Sequence, residues 1–405
     1  MSQSSETREL DDWAESFMEY TSMIPSPVIF RRWAAYCTIA GALERRVWTN
    51  MAGKALYPNT IVLLVANPGI GKSMAIDETH EFWQKLGNFN IAPSGMTKAA
   101  FLDQLCFKTK MFTYKGVPRY YNAMLLAVSE FGNLLPEYDQ RFLNVVNDVY
   151  DCKEYPYEDR TRTKGLQTID RAHVTIITGT QPKYIGRILP EAAFGMGFTA
   201  RTIMVYAGEA VLVDLFTQVS RDVKLAAKLR SDLKQASKLV GEFTWEKDAM
   251  EFAEKWNRVK DKDAPTHPKL FDYKPRRAMH VVKIAMSVSV SRSNDLIMTL
   301  EDFKKAKALL LEAEAVMPEI FKEMTSSQDA SEIEEICIFM FTYCTRRKVE
   351  TVPEHDLLHY MAKKVPVNRI DYFIKTMQAA GLIEIGGLNI PGQRKYKPKP
   401  KSRLT

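Results

Sequence analysis

Residues 66–73 read Ala-Asn-Pro-Gly-Ile-Gly-Lys-Ser. This is the phosphate-binding pattern Gly-x-x-x-x-Gly-Lys-Ser/Thr with Ala66 in place of the first glycine. Each residue type has a use there. Gly69 and Gly71 let backbone N–H groups close on phosphate oxygens where a Cβ would clash. Lys72 reaches the β- and γ-phosphates, and Ser73 offers a hydroxyl to Mg²⁺. The following helix aims its positive end at the anion. With Asn67, Pro68 and Ile70 completing the loop, the spacing points to a bound nucleotide.

Three further positions could act on that nucleotide. Residues 123–135 read AMLLAVSEFGNLL, an apolar run ending in Ser129 and Glu130. A carboxylate at the C-terminal end of a buried strand can orient and deprotonate a water, although a satisfied buried Glu would read the same way. A hydrolase strand would carry Asp at 129. Ser129 brings no charge to a metal but can hold a metal-bound water by hydrogen bonding, so Ser73 and Ser129 are the expected metal contacts. Gln181 ends the run TIITGTQP, where an amide could polarise the γ-phosphate or the water. Arg201 follows a Gly-rich loop at the start of TIMVYA. A lone Arg is commonly a solvated surface charge, but one here could reach across a subunit boundary as an arginine finger.

The elements that must position these residues alternate in type. Residues 8–49 read as helical with a break at IPSP. Residues 59–66, 123–130, 173–180 and 202–207 are short apolar runs, the first reading as a buried parallel strand. The sequence after Ser73 reads as helix, so strand, Gly-rich turn and helix follow in order, the start of an α/β unit. Residues 215–325 have almost no strand signal, and TSSQDA (325–330) reads as a linker with a helix N-cap. Beyond it come three helical stretches and two strand-like pieces around a Gly/Pro turn, the layout of a winged helix with its third helix as recognition element; a small helical domain for protein contacts is the alternative. The expected divisions are a helical segment 1–52, a core 53–212, a helical lid 213–326 and a winged helix 330–405.

Composition sets the limits. The 405 residues are 46% hydrophobic and 26% charged, ordinary for a globular protein. No apolar run has bilayer length, and the N-terminus lacks a signal-peptide layout, so a cytoplasmic protein with no membrane partner is expected. Five scattered cysteines without a CxxC pair argue against a zinc site or disulfide framework. A net charge of +7 permits an anionic partner such as nucleic acid without establishing one.

Taken in order, these motifs resemble the AAA+ ATPase module, most closely that of the minichromosome-maintenance replicative helicases, and a family of phage and bacterial helicase-like P-loop proteins. LLVANPGIGKS is similar to the Walker A segment, and VSEFGNL to a Walker B in which the family has Asp-Glu-Phe. TQP is similar to the Asn-Pro of sensor 1, and FTARTIMV stands where the family has its Ser-Arg-Phe arginine finger. Residues 276–294 resemble the lid that carries sensor 2. There Arg276 and Lys283, seven residues apart, would share a helix face. The resemblance covers about residues 55–325 and implies a P-loop AAA+ core with a parallel sheet flanked by helices, ATP and Mg²⁺ as cofactors, and a homo-oligomer, a six-fold ring closed by head-to-tail contacts. It also assigns Lys72, Glu130, Gln181, Arg201 and Arg276 to catalysis. Where those helicases have a large DNA-binding domain ahead of the core, the expected segment here is only the helical stretch 1–52.

The resemblance gives two basic stretches a meaning. In EDRTRTKGLQTI, Arg160, Arg162 and Lys164 alternate with Asp159, Thr161 and Thr163. Period 2 would put all three cations on one face of a strand, where the family has a pore hairpin gripping DNA. An edge strand kept soluble by charge is the rival. KTKMFTYKGVPRYYN, with Lys115 and Arg119, is a fainter candidate for a second hairpin able to stack bases. His355 and His359 in HDLLH imitate a zinc-protease motif, but an exposed helix face accounts for them better. The expectation is an ATP-driven ring motor on single-stranded or forked DNA, a replicative helicase of a phage or mobile element working with replication proteins. The rivals are an ATP-dependent origin-binding or helicase-loading protein without unwinding activity, and a nucleotide-binding scaffold.

Overall fold

The structure, a computed structural model, describes residues 8–135, 138–161, 165–189, 197–213, 221–387 and 392–399. It is a mixed α/β protein whose chain divides into two compact units, Met1–Phe321 and Lys322–Thr405.

The first unit opens with α1 (Trp13–Tyr20), capped by the Asp12 carboxylate accepting from the Ala14 and Glu15 N–H groups, and α2 (Val28–Leu43), which starts after Pro27. Nearly every side chain of α2 is buried, as expected of a helix apolar on all sides. Sequence periodicity carries this helix to residue 49, but it stops at Leu43. Glu44 turns left-handed (φ 49°), and the β-branched and aromatic Val47-Trp48-Thr49 join β1 (Val47–Met51), paired with β2 (Lys54–Leu56). Then follow β3 (Ile61–Val65), α3 (Lys72–Leu86), α4 (Lys98–Cys106), the hairpin β4 (Thr109–Tyr114) and β5 (Val117–Val128), α5 (Phe131–Leu134) and α6 (Gln140–Tyr150). A second hairpin, β6 (Tyr157–Thr161) and β7 (Gly165–Ile169), precedes β8 (His173–Thr180), α7 (Pro182–Ile188), α8 (Phe198–Arg201) and β9 (Thr202–Tyr206).

Five of these strands form one sheet in the order β4-β5-β8-β3-β9. Strands β5, β8, β3 and β9 are parallel, and β4 adds antiparallel to β5. All residues of β3 and β8 are buried, because helices cover both faces of a parallel sheet. Helix α2 packs on α3 through Gly41, where a Cβ would collide with the Trp83 ring, and the Trp83 indole donates to the Thr38 carbonyl at 3.0 Å.

The remainder of this unit is mostly helical: α9 (Val223–Ala236), β10 (Gly241–Glu242), β11 (Thr244–Trp245), α10 (Lys247–Asn257), α11 (Arg277–Arg292), β12 (Ile297–Met298) and the start of α12 (Leu300–Arg347). The two-residue strands went unread in the sequence because they are too short to show alternation. Their partners are distant, β1 for β10 and β12 for β11.

Helix α12 includes residues 325–330, where the sequence suggests a linker. Thr-Ser-Ser-Gln-Asp-Ala contains neither Gly nor Pro, and N-cap residue types alone do not stop a helix already propagating. In the second unit the C-terminal part of α12 is followed by β13 (Val352–Pro353), α13 (Glu354–Met361), α14 (Ile370–Ala379), β14 (Ile383–Gly387) and β15 (Arg394–Pro398). The three strands pair in the order β13-β15-β14. Ile336, Met340, Leu357, Phe373, Met377 and Tyr396 form their shared core. Glu354, at the first position of α13, is buried and accepts from the Gly392 and Arg394 N–H groups, tying that helix to the start of β15.

Candidate functional site

The loop 66–71 leaves the C-terminal end of β3 and enters α3. Gly69 and Gly71 have φ of 83° and 88°, the left-handed region that glycine occupies without strain. Beyond Gly69 there is open space. A Cβ on Gly71 would run into the Pro25 carbonyl and lie 2.8 Å from Ser26 Cα, so the IPSP break between α1 and α2 sits directly on the loop. Asn67 and Pro68 are exposed and Ile70 is buried. The Lys72 side chain is buried and folds back, donating to the carbonyls of Ala66 at 2.7 Å and Asn67 at 3.1 Å. Burial lowers the pKa of this ammonium, while the nearby Glu130 charge works the other way. Ser73, next along the helix, is exposed.

Strand β8 lies between β3 and β5, with Val65 opposite Thr180 and Val128 opposite Thr178. The parallel strands therefore deliver Gln181, Ser129 and Glu130 to the same edge of the sheet as the loop. Gly179 permits the close approach. A Cβ there would stand 2.5 Å from the Ser129 carbonyl oxygen and 3.5 Å from Lys72 Cβ. Gln181 and Glu130 are half-buried and each begins a short helix, α7 and α5. The Ser129 hydroxyl donates to the Asp77 carboxylate on α3 at 3.3 Å. Asp77 escaped the sequence reading. Its signal was its spacing, four residues after Ser73, which puts both on one helix face.

Arg201 and Arg276 lie elsewhere. Ile61 pairs with Thr202 and Val65 with Tyr206, so Arg201 sits at the N-terminal edge of the sheet, about 20 Å along the strands from the loop. Its guanidinium donates to both Asp151 oxygens, at 2.8 and 2.5 Å, and Arg276 reaches the same carboxylate at 3.4 Å. Burial pushes the Asp151 carboxyl up, but Arg201, Arg276 and Lys283 outweigh it and hold it below its ordinary value. Arg276 stands just before α11, whereas Lys283 lies within it, buried against the Tyr150 ring and donating to the Asn59 side chain at 2.6 Å. Burial lowers the Lys283 pKa to about 8. Arg276, expected beside the nucleotide, is thus grouped with Arg201 and not with Lys72.

The basic stretches form two hairpins. Strands β4 and β5 meet at Lys115 (φ 49°) and Gly116 (φ 78°), the left-handed pair that a two-residue turn needs. The Arg119 guanidinium lies over Trp48 and Tyr114, at 5.0 and 5.2 Å from their ring centroids, and Met111, Val117 and Tyr120 of the same hairpin are exposed. In the β6–β7 hairpin Arg160 is exposed opposite Leu166. Arg162 and Lys164 lie outside the described residues. His355 and His359 are exposed on α13.

Beside the loop an open cleft of about 590 Å³ is lined by Met23, Ile24, Pro25, Met74, Asp77, Glu78 and Arg221. Arg221 is held there by Glu78 and by Glu81 at 3.5 Å. Among the described residues no three His, Cys, Asp or Glu side chains gather to hold a metal. A Mg²⁺ ion bound mainly through nucleotide phosphates needs only one or two carboxylates, and Ser73 with the Ser129–Asp77 pair fits that donor set. Among the described residues no helix is long and apolar enough to cross a membrane. The sequence matches no protein-family model, and no curated protein matches it.

Proposed function

We propose that the first unit is a P-loop ATPase of AAA+ type and that the protein is an ATP-driven, ring-forming motor on single-stranded or forked DNA, a replicative helicase of a phage or mobile element. The observation that carries the reading is the convergence at one sheet edge. The Gly69–Gly71 loop with Lys72 and Ser73, the Ser129-Glu130 strand end and Gln181 all emerge there, with the Gln181 strand between the other two. This is the edge where open α/β sheets bind ligands.

In the proposed chemistry the loop N–H groups and Lys72 hold the phosphates, Lys72 giving up its carbonyl partners to do so. Glu130 accepts the proton of the attacking water, and Gln181 orients that water or the γ-phosphate. Mg²⁺, when bound with ATP, neutralises charge developing on the phosphates. Met23, Ile24, Pro25 and Met74 of the adjoining cleft offer apolar surface to the base. Arg201 and Arg276 are too far along the sheet to serve their own loop. Their grouping on Asp151 supports a role at a neighbour's nucleotide, which requires a ring or another head-to-tail assembly. The two hairpins supply cations and exposed aromatic surface for a DNA strand. The second unit, with three helices and a three-stranded sheet, supports the winged-helix reading.

ATP turnover with and without single-stranded DNA tests this. Stimulation by DNA is expected, with lower DNA affinity in the Arg160→Ala, Arg162→Ala double variant. No stimulation together with unchanged affinity would refute the motor reading and leave the origin-binding or loading protein.

A further inference from the structure

We infer that Asp77 supplies the carboxylate that Ser129 lacks, so that the divalent cation of the nucleotide site is held by Ser73, Ser129 and a carboxylate on the helix instead of one on the strand. The inference rests on the nucleotide reading of the loop.

Three observations on the chain carry it. The Ser129 side chain, which ends the strand where an anionic metal partner is expected, donates its hydroxyl proton to Asp77 at 3.3 Å. Asp77 is four residues beyond Ser73 on α3, so the two side chains are neighbours on one face, with Cβ atoms roughly 5–6 Å apart. Helical Cα–Cβ bonds tilt toward the N-terminus, which places the Asp77 carboxylate over the turn that contains Ser73. Asp77 is exposed, where a carboxylate carries none of the desolvation cost of a buried one. Glu130 is next in sequence but stands beside Lys72 and is needed to accept a proton. A carboxylate that held the ion closely could not also do that. Asp77 lets the two tasks fall to two residues.

A purely structural tether between α3 and the strand end would use the same hydrogen bond, so the experiment measures metal binding directly. Mn²⁺ binding to the full chain is followed by electron paramagnetic resonance in the presence of the non-hydrolysable analogue adenylyl imidodiphosphate, whose own affinity is measured in EDTA. Asp77→Asn is expected to weaken Mn²⁺ by about 10–100-fold, the loss typical when a supporting partner of a metal site is removed. Analogue affinity in EDTA should not change. Adding Ser129→Asp to that variant returns the carboxylate to the strand and should recover most of the Mn²⁺ affinity. Asp77→Cys gives a second test in any folded protein: a thiolate prefers soft ions, so Cd²⁺ should support analogue binding better than Mg²⁺, with the parent as control. Unchanged Mn²⁺ affinity in Asp77→Asn, or no recovery with Ser129→Asp, overturns the inference and leaves the nucleotide reading standing. A parent that binds no analogue with or without metal overturns both.

Discussion

Arg201 and Asp151 form a two-pronged ion pair, with Nε at 2.8 Å from one carboxylate oxygen and Nη2 at 2.5 Å from the other. Asp151 directly follows α6, and Arg201 directly precedes β9. The pair fixes the guanidinium at the N-terminal edge of the sheet, where Arg276 joins it. Such a two-point match is available to Arg and not to Lys.

If Arg201 serves a neighbouring nucleotide, two inactive variants should complement each other. Lys72→Ala and Arg201→Ala are each expected to lose ATP turnover, the second by about 10³-fold or more if it acts as an arginine finger. Mixed after subunit exchange, they should regain activity that neither has alone. An Arg201→Ala protein with parental turnover, or a mixture that stays inactive, would remove Arg201 from the mechanism.

Glu130→Gln should separate binding from chemistry. The amide keeps the shape of the side chain but cannot take a proton, so turnover is expected to fall by roughly 10²–10⁴-fold at near-parental ATP affinity. Equal turnover in both proteins would make Glu130 a structural carboxylate.

The two loop glycines should differ in what they tolerate. Gly69→Ala meets open space and adds only left-handed backbone strain, about 1–2 kcal/mol. Gly71→Ala adds the same strain and a collision with the Pro25 backbone, for roughly 2–5 kcal/mol in all. Urea unfolding should therefore place Gly71→Ala well below Gly69→Ala. Matching midpoints would mean that the 24–27 segment yields easily.

Acid should destabilise the first unit through His280. This ring is fully buried, stacks on Tyr273, donates from Nε2 to the Ala200 carbonyl at 2.9 Å and has no partner at Nδ1 among the described residues. Burial lowers its pKa to about 3, against a slight upward pull from that carbonyl. The unfolded chain takes up this proton near pH 6.5 and the folded chain does not. The stability is thus complete above 6.5 and lost progressively as pH falls toward 3. Between pH 7.5 and 5 the loss from this group is about 2 kcal/mol. His280→Gln keeps a donor and removes the titration, so its unfolding free energy should vary less with pH by that amount. Parallel pH profiles would show that His280 is not what titrates.

What the sequence made legible followed from local patterns. The strand His173–Thr180 coincides with its apolar run, and β3 and β9 lie within theirs, because buried parallel strands are short and continuous in composition. The meeting of Lys72, Glu130 and Gln181 could be expected from three strand ends in parallel order. What stayed hidden depends on distant partners. Val47 and Trp48 are in a strand beside Gly241 and Glu242, nearly two hundred positions along the chain. Nothing in the sequence around Arg276 points to Asp151, 125 positions away. The spacing of Asp77 from Ser73 was legible, but its hydrogen bond with Ser129, 52 positions away, was not.

The most direct test of the central claim is strand displacement on a forked DNA with ATP and Mg²⁺, the parent run beside Glu130→Gln. The account predicts that the parent separates the strands and the variant does not, although both bind ATP. A parent that hydrolyses ATP on the fork and leaves the duplex intact would contradict it.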